Sequence, residues 1–583
     1  MIYTIGGIIF LGIMSQWIAW RLKVPVIIIL LSVGFLAGPV LGVLTPMAYM
    51  SQDLVLTIVE LSVALILFDG AMQLKFTEFK TVADGLKRIL TLGVLFHFIF
   101  ISAASFFLVD SSVAFAFLLA GILIVTGPTV VIPALREAKI NKKSANYLKW
   151  EGIITDPIGA IIAIVVYDAM VLSSQGSSTQ VTIMILKIAL ISFSLSFILK
   201  EVVKWAFKKN RLPDYLKLPF ITSVVLCSFV FSNEIQHGSG LLTVTLLGML
   251  IGNSKIDILL ELREFKENIT TMCISFVFII ITTSTSFESF SNITFPQLMF
   301  VLLVSFVLRP IAIFVSTYKS KMSLKEKFLI GSFGPRGIVA VSVAAALSSE
   351  MANDGLNQFG VILLPMTLMI VITTVIAHSL YLPFLSRKLE LDSEVSNGVI
   401  IIGTMPWVVD LASKLQDLGI PVLVTSASWY KLAPFRNRGI NTFYGQILNQ
   451  LDHEDFSEYG SLLAMSENDS FNSLSCEKFS KQFGHDNVYK LKQAKNFVHD
   501  KYNVDKSTYC VYINNLDLKF ENLMKYYQHG WRFKYTRLTE NFNYPDFLRQ
   551  NEQSIVCMKI KVDGSIVFGS HFEKDPKEGE ILS

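Results

Sequence analysis

Residues 1–388 are cut into apolar stretches of roughly bilayer-crossing length, and the polar loops between them alternate in charge. A bilayer core of about 30 Å requires about 20 helical residues. Stretches of that order lie near 1–20, 24–45, 54–74, 89–109, 113–135, 150–172 and 181–203, then near 218–233, 238–253, 269–285, 296–317, 328–348 and 358–386. Thirteen transmembrane helices are therefore expected. Met1 leads into the first stretch without the basic leader and small-residue cleavage site of a removable signal, so that stretch reads as a span.

Every second loop is basic. One set holds Arg21 and Lys23, then Lys75, Lys80, Lys87 and Arg88, then Arg136, Lys139, Lys142, Lys143 and Lys149. It continues with Lys204, Lys208, Lys209, Arg211 and Lys217, with Lys255, Arg263 and Lys266, with Lys319, Lys321, Lys325 and Lys327, and with Arg387 and Lys388. The loops near 46–53, 110–112, 173–180, 234–237, 286–295 and 349–357 contain no Lys or Arg. The positive-inside rule then puts the N-terminus outside and everything after residue 388 in the cytoplasm. That arrangement needs an odd number of spans, in agreement with thirteen.

Only 16% of the 583 residues are charged, against about a quarter in an ordinary soluble protein. The figure averages two regions. Residues 1–388 hold 29 Lys and Arg and 21 Asp and Glu, whereas residues 389–583 hold 21 and 25. A basic membrane domain is thus joined to a more highly charged, acidic soluble one, and the net charge of +4 gives no reason to expect nucleic acid. Disordered, collagenous and disulfide-scaffold classes are excluded. The five cysteines show no metal-ligand spacing, which suits a reducing cytosol.

A charge at membrane depth is expensive and marks a candidate functional group. Asp156, Glu151, Arg309 and Arg336 stand out. Lys187 and Asp168 lie near the outer interface and can snorkel. Glu60 and Asp69 flank the third span and fit a structural or a transport role; His97, His237 and His378 read as packed helix residues, with pH sensing as the alternative. Two spans are also interrupted by Gly-Pro: Val125-Thr126-Gly127-Pro128-Thr129 in the fifth and Phe333-Gly334-Pro335-Arg336-Gly337 in the twelfth. Non-helical backbone at membrane depth is tolerated only against protein or a water-filled cavity. A pair of such breaks in corresponding positions of two halves points to a secondary transporter with inverted repeats. Thr155 and Asp156, on the following span, would face the unwound Thr126, Gly127 and Thr129. Carboxylate, hydroxyls and freed carbonyls are what a small hard cation binds. A carboxylate removed from water also competes for a proton, so one site can hold either ion.

Together these residues resemble the NhaP-like monovalent cation:proton antiporters, which share their fold with animal sodium/proton exchangers. Arg21-Leu22-Lys23-Val24-Pro25 with Gly38-Pro39 resembles the family's first hairpin, Phe68-Asp69-Gly70 its third-span motif, Gly238-Ser239-Gly240 the opening of the ninth, and Gly334-Pro335-Arg336-Gly337 its G-x-R-G. The resemblance covers residues 1–388. It implies two crossed broken helices, a homodimer embedded in lipid in a bacterial inner membrane, and elevator-like exchange of Na⁺ or K⁺ for H⁺. Glu151 and Asp156 match the family's E-x4-D, which implies that Asp156 binds the ion while Glu151 pairs with Arg309. Arg336 would neutralise carbonyl ends of the broken helix or another acid. Two residues depart from the pattern: Thr155 stands where Asn is usual, and Gly127 where the fifth-span Asp is usual. A single Asp, rather than the adjacent pair of electrogenic relatives, favours electroneutral exchange. Alternatives are a K⁺/H⁺ antiporter or K⁺ efflux system gated by the soluble domain, and a transport-inactive sensor. No enzymatic activity is expected.

The soluble region opens with Gly398-Val399-Ile400-Ile401-Ile402-Gly403, a buried parallel strand, then a helix near 407–418 and a second strand at 420–424. Over 396–495, with Gly439–Gly445 and Ser466-Glu467-Asn468-Asp469 as further landmarks, it resembles the Rossmann-like N-terminal domain of potassium-conductance regulators (RCK, TrkA-N-like). The nucleotide loop is degenerate: Gly403 is followed by Met405 and Val408 where G-x-G-x-x-G has glycine, and Thr425-Ser426 replaces the ribose-binding acid. No dinucleotide cofactor is expected. Residues 500–583 read as a small separate domain. A potassium channel would need a T-V-G-Y-G filter, which is absent.

Overall fold

The computed structural model of the chain describes residues 2–22, 24–138, 140–172, 178–208, 211–254, 263–283, 293–391, 397–449, 456, 458–491, 510–513, 519–540, 542–551, 554–561, 565–568, 576 and 579–582. Lys23, Lys139, Lys209 and Lys255 of the basic loops, and most of the outer loops at 173–180 and 286–295, lie outside them. The chain divides into two compact units, Met1–Asp392 and Ser393–Ser583.

The first unit is a helical bundle. Among the described residues nine helices are long and apolar enough to cross a membrane, and Val26–Val40, Ser239–Gly252, Asn268–Thr283 and Ile338–Ala352 are shorter apolar helices. Four of the expected spans are therefore short. One of them ends in a widened turn, Leu36–Val40, around Pro39, whose ring removes a backbone donor. Residues 75–88, expected as a basic loop, instead form the helix Phe76–Arg88, which runs on through Ile89–Gly93 into Val94–Leu108. The reason is its spacing: Phe79, Val82, Leu86 and Ile89 fall on one face and pack in a core with Tyr147 and Trp150, leaving Lys87 exposed. Leu186, Leu190, Phe193 and Phe197 are exposed on Ser178–Phe207, as a bilayer-facing surface requires.

Both expected broken spans are broken. Val113–Leu123 stops and Pro128–Ala138 begins; Leu324–Ser332 stops and Ile338–Asn353 begins. The first lies tightly on Lys142–Leu172, the helix that carries Asp156. A Cβ on Gly121 would come within 2.9 Å of the Ala163 nitrogen, and one on Gly159 within 2.7 Å of the Gly121 oxygen. Small residues let such backbones approach, and Gly121 and Gly159 lie within one helical turn of the break and of Asp156 respectively.

The second unit contains a six-stranded parallel sheet of β1 (Gly398–Ile402), β2 (Val422–Ser426), β3 (Asn441–Tyr444), β4 (Tyr459–Ala464), β5 (Val488–Leu491) and β6 (Val511–Ile513), in the order β3-β2-β1-β4-β5-β6. Alternate residues of β1 serve the two faces. Val399 and Ile401 pack with the helix Pro406–Asp417, and Ile400 and Ile402 with Asp469–Phe483. β6 falls beyond residue 495; three residues are too few to announce a strand by pattern. A second, antiparallel sheet has the order β7-β10-β8-β9 from β7 (Thr536–Arg537), β8 (Met558–Ile560), β9 (Ile566–Phe568) and β10 (Ile581–Leu582). Met558, Ile560, Ile566 and Phe568 share one hydrophobic core with Val399 and Ile401, so residues after 500 pack onto the parallel sheet.

Candidate ion-binding site

The two breaks touch each other. Gly127 N–H donates to the Pro335 carbonyl at 3.1 Å. A Cβ on Gly127 would lie 2.2 Å from the Cα of Gly337, and one on Gly337 would lie 2.5 Å from the Cα of Gly127. Neither glycine has positive φ, so the demand is for space at the crossing. At this crossing the chain has no room for a side chain at position 127. Pro128 opens its helix at a position where a missing N–H costs nothing. The unwound segment is thus 124–127, and Thr129, expected within it, is helical.

Asp156 is 0% exposed, and neither carboxylate oxygen has a hydrogen-bond partner among the described residues; the hydroxyl of the buried Thr129 is in the same state. Thr126 Oγ1 and Thr155 Oγ1 are 2.9 Å apart, and Thr155 Oγ1 donates to the Glu151 carbonyl at 2.8 Å. A hydroxyl has one proton, so Thr126 donates to Thr155 and both oxygens keep lone pairs. Unpartnered carboxylate, hydroxyl oxygens and opened backbone are therefore gathered at one level of the bundle.

Glu151 and Arg309 form a buried bidentate pair, Nη1 to Oε1 at 2.8 Å and Nη2 to Oε2 at 2.9 Å. Arg309 also donates from Nε to the Phe333 carbonyl at 3.2 Å and from Nη2 to the Ile330 carbonyl at 3.3 Å, capping the helix before the second break. Arg336, wholly buried, donates to the Gly334 carbonyl at 2.5 Å and lies 3.2 Å from His97 Nε2. Of the two partners expected for it, it takes a carbonyl end. Gly334 N–H donates to His378 Nδ1 at 3.3 Å while His378 Nε2 meets the Ser305 carbonyl at 3.1 Å, and Arg336 N–H donates to Thr374 Oγ1 at 3.1 Å. Facing a carbonyl on Nε2 and an N–H on Nδ1, His378 is neutral with its proton on Nε2. His97 and His378, read from the sequence as packed helix residues, are thus parts of the site's frame, and so is Thr374, which the sequence did not single out. Their only signal was polarity inside apolar spans.

Asp69 accepts from Thr270 Oγ1 at 3.3 Å and Gln73 Nε2 at 3.5 Å, and shares with Pro128 and Thr129 the wall of a cavity of about 610 Å³. That cavity reaches the start of the helix that follows the first break. Glu60, His237 and Glu350 line a separate cavity of about 510 Å³; Lys187 is exposed. In the soluble unit, a Cβ on Gly403 (φ +149°) would sit 2.7 Å from the Met465 carbonyl, so this glycine is used by the packing of β1 against β4.

A family model described as "sodium/hydrogen exchanger, transmembrane" matches residues 6–388. Among curated proteins, the Na(+)/H(+) antiporter NhaH of Halobacillus aidingensis is 25% identical over 396 residues, covering 64% of this chain and 94% of the relative. The Na(+)/H(+) antiporter 1 of Methanocaldococcus jannaschii is 23% identical over 368 residues, covering 60% and 84%. The K(+)/H(+) antiporter NhaP of Alkalimonas amylolytica is 23% identical over 347 residues, covering 59% of each. Among solved structures, the sodium proton antiporter MjNhaP1 from Methanocaldococcus jannaschii at pH 8 aligns with a TM-score of 0.58 and 21% identity, over 67% of this chain and 98% of that one. At that identity the likeness establishes a shared multi-span antiporter fold. These relatives are transporters, not enzymes.

Proposed function

The chain belongs to the sodium/hydrogen exchanger family, and from that premise we propose that it exchanges one monovalent cation for one proton, with Asp156 carrying either. The observation that bears the reading is Asp156 itself, fully buried with both oxygens unpartnered among the described residues. A bare carboxylate in such a place is costly unless something positive joins it. A proton and a small cation are the two candidates, and occupancy by one excludes the other. Thr126, Thr155 and the opened backbone at Gly127 supply further oxygens for the cation, and Thr129 lies on its route through the adjoining cavity. One carboxylate moving one unit charge in each direction makes the exchange electroneutral.

Na⁺ is the first choice of cargo, since two of the relatives are named Na(+)/H(+) antiporters. K⁺ is the second reading, favoured by the relative named a K(+)/H(+) antiporter, and Li⁺ belongs in the same comparison. Purified protein in liposomes containing a pH dye tests both points: Na⁺, Li⁺ and K⁺ are titrated separately, and Asp156→Asn abolishes the response. Unchanged flux in that variant sinks the mechanism. A reversal potential that moves with voltage excludes one-for-one exchange.

The same proposal includes thirteen spans with inverted repeats, an outside N-terminus, a lipid-embedded homodimer in a bacterial inner membrane, and an elevator-like movement of the two crossed helices. The crossing of the breaks supports treating them as one moving body. The soluble unit is assigned an RCK-like regulatory role inside the cell. Its strand order, β3-β2-β1-β4-β5-β6, is that of doubly wound nucleotide-binding domains. With Met405 at the start of the following helix and Gly403 taken up by β4, no dinucleotide is assigned to it.

A further inference from the structure

A cavity of about 920 Å³, its open mouth included, lies in the soluble unit between the helix Pro406–Asp417, the helix Phe520–Gln528 and the second sheet. Its walls are aromatic, with Trp407, Tyr526, Tyr527, Trp531, Phe533 and Phe547 among them. The charged groups on its described lining are Arg532 and Lys534, and no carboxylate joins them. An apolar cavity with a few convergent polar groups is the usual form of a small-molecule site.

The polar groups are arranged for an occupant. Trp531 is stacked on Tyr526 with ring centroids 4.8 Å apart and planes 25° from parallel, and it remains 41% exposed. That leaves a flat, braced surface. The Arg532 guanidinium lies 4.2 Å from the Tyr527 ring centre, and its Nη1 donates to the Tyr527 and Trp531 carbonyls at 3.1 and 2.7 Å. Those bonds fix its plane while leaving Nε and Nη2 to donate elsewhere. The segment is tied down by Phe533 N–H donating to Asp410 Oδ2 at 2.8 Å. Trp407 is buried, lines the cavity, and its Nε1–H has no acceptor among the described residues. Burial pushes the Cys557 thiol in the wall up to about 12, so it is an apolar surface there and not a nucleophile.

We infer that this cavity binds a small organic anion bearing a flat aromatic ring, with the ring on the Trp531 face and the charge at Arg532 and Lys534. An inorganic anion would leave the aromatic walls in water. A neutral apolar molecule would make no use of the two cations at the mouth. Apart from Trp407, the described lining lies outside the glycine-loop segment 403–408, and binding is measured without any ion flux, so the inference stands or falls apart from the antiport mechanism.

The test is calorimetric titration of the full chain in detergent with adenosine 5′-monophosphate and with 1-naphthoate, beside adenosine (ring without charge) and ribose 5-phosphate (charge without ring). Saturable binding of at least one ring-bearing anion is expected, with adenosine and ribose 5-phosphate weaker than the monophosphate. Trp531→Ala and Arg532→Gln, both at exposed positions, should each weaken binding by about 3- to 10-fold. Trp407→Phe keeps an aromatic wall, smaller than the indole, and removes the donor, with a loss of about 3-fold. Failure of both ring-bearing anions to saturate, equal affinity for adenosine, or affinity indifferent to Trp531→Ala and Arg532→Gln overturns the assignment.

Discussion

At the second break, residues 333–337, four side chains hold the freed backbone: Arg309 on the Phe333 carbonyl, Arg336 on the Gly334 carbonyl, His378 on the Gly334 N–H and Thr374 on the Arg336 N–H. At the first, residues 124–127, the Thr126 hydroxyl goes to Thr155 and the Gly127 N–H to the other break, while Asp156, next to Thr155 on the neighbouring helix, and Thr129, just past the break, have no partner among the described residues. Two openings of similar make in one bundle are thus finished in opposite ways. A buried polar group without a partner costs free energy that a fold ordinarily avoids. Arg336 Nε is also without a partner among the described residues, so the contrast concerns the freed backbone; on the reading proposed above, the second break is the frame and the first receives the charge.

The strongest challenge to that contrast is Asp156→Asn, which should remove pH-driven cation flux entirely while leaving the protein folded, as read by flux in liposomes and a thermal melt on the same preparation. Loss of folding instead would make Asp156 part of the frame. Next in size is Glu151→Gln, which leaves the Arg309 charge uncompensated in the interior and should destabilise by about 3–5 kcal/mol, with Glu151→Gln/Arg309→Met recovering part of the loss. Denaturation in detergent measures both. Gly127→Asp, which restores an acid to the first break, should lose transport rather than gain affinity, because the side chain meets Gly337; Gly127→Ala should cost about 1–3 kcal/mol for the same reason. Thr374→Val should be the mildest, at about 1 kcal/mol, since it strands one N–H of the second break. A large loss of transport in Thr374→Val without loss of stability would show that the second break also takes part in exchange.

Much of the membrane unit was legible because a bilayer makes polarity rare. Asp156, Glu151, Arg309 and Arg336 could be picked out one by one, and Gly-Pro marked both interruptions. Residues whose meaning lies in a distant partner were not legible. His378 and Gly334 are 44 positions apart, and His97 and Arg336 are 239 apart. Arg336 had two possible partners in the sequence, and the fold selected the carbonyl. The helix Phe76–Arg88 was hidden by its lysines and arginines, which outweighed a clear periodic face. In the second unit β1 was evident from four apolar side chains in a row, Val399 to Ile402, whereas β6 is three residues long and exists as a strand because β5 lies beside it.

By itself the sequence separates a sparsely charged, apolar part that reads as membrane from a more highly charged part, marks two helices with Gly-Pro, and leaves few charges at depth. Those properties follow from local composition, since a bilayer penalises every unpaired polar group wherever it lies. The tertiary structure alone decides that the interruptions cross at Gly127 and Gly337, that side chains hold the freed backbone of the second, and that an aromatic cavity forms between the second sheet and the helices Pro406–Asp417 and Phe520–Gln528. Each of these depends on which backbones approach within a few ångströms, and such closeness between distant segments has no period or motif in the chain.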